Sequence, residues 1–233
     1  APINSFTKYN TYDTAEPLET QAYASSVDAV KRVEDKKCPV PSISKLGGKW
    51  KRVFPAGAKE LEFANEPASC TFDLVLTLVR YNDPDNASLT KNELKEVLLD
   101  EYVSMIKKHG DKVLAVLVAQ GKVNMAKQVM AGQRTVGMMV MSDDYYATNL
   151  DIWLLAKRFN LPIVLISSTS LIENKQPLMV ISGDGSQSFF FIHSPGVKPA
   201  TAPRYRLVVT GEGSAKIPIS MLTSEEEALI REG

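Results

Sequence analysis

Two cysteines and two histidines are all that this 233-residue chain holds of its most reactive side chains. Cys38 and Cys70 stand 32 positions apart, and neither has a CxxC partner. That excludes a disulfide framework and a cysteine-based zinc site, and it fits a reducing compartment such as the cytoplasm. Charge of one sign is also missing: Lys plus Arg and Asp plus Glu number 27 each. Without a net field, nucleic acid and anionic membranes are not expected partners. The densest basic stretch, Lys45, Lys49, Lys51 and Arg52, reads as a solvated turn. No apolar run approaches the roughly 18 residues that span a bilayer, so no membrane segment is expected. GxGxxG, P-loop, HExxH and EF-hand patterns are absent as well, and the expectation is no cofactor and no metal.

What is present is ordinary globular composition, 44% hydrophobic and 23% charged, long enough for one substantial core. The chain opens Ala-Pro rather than Met and is expected to be a piece of a larger polypeptide. Residues 1–50, rich in Thr, Ser, Pro and charge, read as an arm or small subdomain, with one possible amphipathic segment from Pro17 to Val33. Residues 51–222 read as the main body, and 223–233 as an acidic terminal helix.

Within the body "KWKRVFPAGAKELEF" reads as a turn or hairpin. Apolar residues Phe72, Val75, Leu76 and Val79 then recur at helical spacing, with Ser69 as the expected N-cap and "YNDPDN" as the stop. Thr90 and Glu93 have capping-box spacing ahead of a second helix that should end at Gly110. Asp111 is expected to cap a third helix, and further helices are expected over 123–130 and 149–160. After residue 160 the period changes. "LPIVLIS", "NKQPLMVIS", "SFFFIHS" and "RYRLVV" read as strands. Helices first and a small sheet later give an α+β body, or a three-layer α/β/α one.

Cys70 lies at the start of an apolar helix, in "NEPASCTFDLVLTLVRY". Unpaired amides and the positive helix end favour a thiolate there, as in papain-like enzymes, and can supply an oxyanion hole. The other reading is an inert buried cysteine. Of the two histidines, His109 in "KKHGDK" suits a helix C-terminus, a structural place. His193 ends the strand "SFFFIHSPG", where it could meet a helix start across a cleft and act as general base. Cys38, in polar "KKCPVPS", reads as incidental.

Two blocks resemble the ovarian tumour (OTU) family of cysteine proteases: "SCTFDLVLTLV", a cysteine heading a helix, and "YYATNLDIWLLAKRFNLPIVLI", a helix running into a core strand. The resemblance covers about residues 65–210 and implies a papain-like fold with helices around a small central sheet. It implies a thiol protease that removes ubiquitin or a ubiquitin-like modifier, with Cys70 as nucleophile; the base available from the residues themselves is His193. It is closest in style to OTU-like segments in long proteins of large DNA viruses, which would place it in the host cytoplasm or the virion.

The sequence also departs from the family. "PASC" stands where Asp-Gly-x-Cys is expected, so Pro67 and Ala68 replace the Asp and Gly that shape the oxyanion loop. Arg204, in "RYRLVV", stands at the expected His position, with Arg206 where an orienting Asn or Asp would be, and arginine is no base at neutral pH. Either His193 takes over, with Asp143 or Asp144 as candidate orienters, or the domain is a catalytically inactive OTU-fold interaction module. A third reading is a structural scaffold segment sharing only the fold.

Overall fold

A computed structural model describes residues 41–63 and 67–232 of the protein. The segment expected at 17–33 and Cys38 lie outside the described residues. Among the described residues the body is mixed: eight helices and one seven-stranded sheet.

In chain order the elements begin with β1 (Ser42–Lys45), a single turn α1 (Trp50–Val53) and β2 (Lys59–Glu62). A helical run follows: α2 (Pro67–Asn82), α3 (Lys91–His109), α4 (Asp111–Ala119), α5 (Val123–Met130), α6 (Val136–Met141) and α7 (Asn149–Arg158). The remaining strands are β3 (Ile163–Ser167), β4 (Leu178–Ser182), β5 (Ser188–Ser194), β6 (Arg206–Val209) and β7 (Lys216–Pro218), with α8 (Ser224–Glu232) last.

The Thr90–Glu93 capping box forms as expected: the Glu93 amide donates to Thr90 Oγ1 at 3.2 Å, and the Thr90 amide donates to Glu93 Oε2 at 2.7 Å. Gly110, at φ +56°, ends α3 and also stands at the N-cap of α4, so Asp111 is the first residue of α4 and not its cap. The start of α2 is also corrected. Proline suits the first helical turn, and the helix begins at Pro67, two residues before the expected cap Ser69.

The sheet order is β1-β2-β6-β5-β3-β4. β3 and β5 run parallel, and the other pairs are antiparallel. β6 takes Ile192 and His193 of β5, and β7 takes Ser188–Phe190. Side chains alternate across the sheet. Ile163, Leu165, Phe190, Ile192 and Leu207 enter the large core shared with α2–α7. Val164, Ile166, Phe191 and Val208 enter a smaller core with Leu46, Trp50, Phe54, Leu222 and Ile230. Residues 42–50, assigned from sequence to the arm, thus supply a sheet strand and two residues of this second core. Ile230 of α8 packs into the same core.

Gly183, just after β4, has φ +100°, and a Cβ there would meet the Pro162 Cα at 2.6 Å, backbone against side chain with no slack. Gly183→Ala is expected to lower unfolding free energy by about 2–4 kcal/mol, read from the urea midpoint at unchanged m-value.

Candidate functional site

Strand alternation decides where the candidate catalytic residues go. His193 shares the parity of Phe189 and Phe191, so it belongs to the face of the smaller core. Helix α2 packs its Phe72, Leu74 and Val75 into the large core, on the opposite face. Cys70 and His193 are therefore separated by the sheet, and each has other partners.

Cys70 is the fourth residue of α2 and fully buried. Its Sγ lies 4.0 Å from the carbonyl oxygen of Tyr205, as a weak donor. Burial pushes the thiol up from 9.0 to about 11; the Glu62 carboxylate reinforces this, and the Arg204 guanidinium opposes it only partly. Arg204 is thus an electrostatic neighbour of Cys70, and it is ion-paired with Glu62 at 2.7 Å. The other candidates lie apart. His109 is exposed in the last turn of α3. Asp144 pairs with Arg134 at 3.0 Å, and Asp143 acts electrostatically on Lys95, so neither orients His193.

Around His193 a row of polar groups crosses four neighbouring strands. Arg206 on β6 bridges Glu62 and Glu60 of β2, both at 3.2 Å. Glu60 Oε1 lies 2.5 Å from His193 Nδ1, and His193 Nε2 lies 2.9 Å from the hydroxyl of Ser168, the residue following β3. Glu60 is only 3% exposed. Burial alone would raise its pKa, but the hydrogen bonds and charges of His193 and Arg206 prevail and hold it below the usual carboxylate range. An ionised Glu60 only accepts, so Nδ1 carries a proton; in the neutral form of the ring Nε2 is then the acceptor facing the Ser168 hydroxyl. Trp50 steadies the neighbouring backbone, donating its indole N–H to the Ser167 carbonyl at 3.0 Å.

Comparison with protein-family models, curated proteins and solved structures finds no match. The geometry alone must carry the reading.

Sequence reasoning found His193 but neither Glu60 nor Ser168. Alternation in "KELEF" was the available signal: with Leu61 and Phe63 directed to the large core, Glu60 and Glu62 must face the other way. The stretch "KWKRVFPAGAKELEF", expected to be a turn or hairpin, holds α1 and β2, and β2 pairs with β1 from before it.

A second polar cluster sits inside the helical layer. Asp151 Oδ2 lies 2.5 Å from Lys122 Nζ, both side chains at 0% exposure. Tyr102 donates to Asp151 Oδ1 at 2.7 Å, Tyr145 donates to the same oxygen, and the Thr148 amide donates to Oδ2 at 2.7 Å. Burial pushes both tyrosines well above 10 and Lys122 down. With no open path to a reactant, this cluster serves the fold. Among the described residues no group of His, Cys, Asp and Glu is arranged to hold a metal ion, and no helix is long and apolar enough to cross a membrane.

Proposed function

We propose that this chain is an OTU-like interaction module that binds ubiquitin or a ubiquitin-like protein within a larger polypeptide, with Cys70 as a core residue and not a nucleophile. The observation that carries the reading is the environment of Cys70: a buried thiol held in its protonated form, with Glu62, Arg204 and Asp73 as the charged groups acting on it and no histidine among them. Thiol proteases need the opposite, an accessible thiolate paired with a base. The "PASC" stretch, the first turn of α2 and without the glycine that turns amides toward an oxyanion, supports the same reading. The ubiquitin-type partner rests on the resemblance of residues 65–210.

Two measurements test it together. Ubiquitin carrying a C-terminal electrophile is expected to leave Cys70 unmodified by mass spectrometry, whereas titration into isotope-labelled ubiquitin should give saturable shifts that Cys70→Ala leaves unchanged. Covalent capture at Cys70 would restore the thiol-protease reading. Absence of any saturable shift with ubiquitin and its relatives would remove the binding reading.

A further inference from the structure

We propose that Ser168, His193 and Glu60 form a serine-type acyl-transfer centre that hydrolyses small carboxylic esters, on the face of the sheet opposite Cys70. The proposal goes beyond the binding role and does not depend on it.

Three roles are required and each has an occupant. The nucleophile must be exposed and hydrogen-bonded to a base; Ser168 is exposed, and its hydroxyl is 2.9 Å from His193 Nε2. The base must be partly shielded yet reachable, and the His193 side chain keeps 15% of its surface. The base must also be held in one tautomer; Glu60 does this at 2.5 Å from Nδ1. Glu60 comes from β2 and His193 from β5, and Ser168 is the first residue after β3, so two of the three rest on strands and the third directly follows one. Arg206 neutralises the buried carboxylate without contacting the imidazole nitrogens, both of which are taken by the other two residues. Ser168 also sits at the carboxyl end of β3, parallel to β5, where open sheets present their reactive edge.

The chemistry closes. The Ser168 Oγ bonds to the ester carbonyl carbon while its proton passes to His193 Nε2. The carbon–alkoxide bond breaks, and the alcohol leaves with that proton. Water then attacks the acyl-serine, giving its proton to Nε2, and Ser168 Oγ recovers it as the carboxylic acid departs. Ser168 and His193 are catalytic residues, and Glu60 is a positioning residue.

The test uses the whole chain. A fluorophosphonate probe is expected to phosphonylate Ser168 with loss of fluoride, and p-nitrophenyl acetate should leave an acetyl group there. Ser168→Ala, at an exposed position that should fold normally, should abolish the label and lower ester turnover by at least about 100-fold, as should His193→Ala. Glu60→Gln should lower kcat with KM unchanged, a split that mere loss of stability does not produce. Failure of the folded protein to label at Ser168, or equal turnover by Ser168→Ala, overturns the proposal. Cys70→Ala must keep full esterase activity, and loss of ubiquitin binding alone leaves the proposal standing.

Discussion

Removing Asp151 by Asp151→Ala is expected to destabilise the protein by about 3–5 kcal/mol, because it leaves the Lys122 ammonium buried and unpaired. Asp151 ties four elements: Tyr102 from α3, Lys122 from the α4–α5 junction, Tyr145 from the stretch before α7, and the Thr148 amide at the α7 start. Tyr102 and the Thr148 amide lose the acceptor they use, and Lys122 keeps only the neutral Tyr145 hydroxyl at 3.0 Å. Lys122→Met alone is expected to cost less, since Asp151 keeps four other donors: the Tyr102, Tyr145 and Thr148 hydroxyls and the Thr148 amide. The double variant Lys122→Met/Asp151→Ala should be more stable than the sum of the two singles by at least about 1 kcal/mol, the coupling expected of a contacting pair. Urea unfolding of all four proteins measures the cycle, and simple additivity would show that the ion pair is incidental.

Cys70 is expected to resist alkylation in the folded protein. With the thiol at about 11, only about one part in a thousand is thiolate at pH 8, against about a tenth for a thiol at 9.0. In a Cys38→Ser background, iodoacetamide should therefore modify native Cys70 at least about 100-fold more slowly than the urea-unfolded chain at the same pH. Mass spectrometry over a time course reads this directly. A native rate close to the unfolded one would show an exposed, activated thiol and return Cys70 to the list of nucleophiles. The same shift has a stability consequence. The folded state holds its proton more tightly, so the contribution is complete below pH 9 and declines as the unfolded thiol ionises between about 9 and 11.

Local signals proved dependable where one element explains itself. The helix expected over 123–130 is α5, and the box at Thr90 and the four apolar strands are all present. Elements that make sense only in the assembled sheet stayed hidden. β1 is four exposed residues, "SISK", whose strand character comes from pairing with β2. β7 is three residues ending in proline, held by β5. The six-residue α6, "VGMMVM", is too short to show a period. The site follows the same rule. His193 was legible as the polar end of an apolar strand. Its partners were not, because Glu60 is 133 positions earlier and Ser168 meets it only through the parallel β3–β5 pairing. Nor could spacing reveal that Cys70 and His193 lie on opposite sides of the sheet.

The β2–β6 pairing, Lys59 against Val209 through Glu62 against Arg206, also fixes an order of assembly. Closing so long a loop is entropically unfavourable, and the contact gives nothing back until the strands between are in place. The helical layer and β3–β5 can gather from near neighbours, while the β1–β2 hairpin must wait for a segment synthesised almost 150 residues later. Glu60 reaches His193 only at that last step, when Arg206 arrives beside both. On a ribosome the polar row would form late, only once Arg206 has emerged, with β7 and α8 still to add to the sheet and the smaller core.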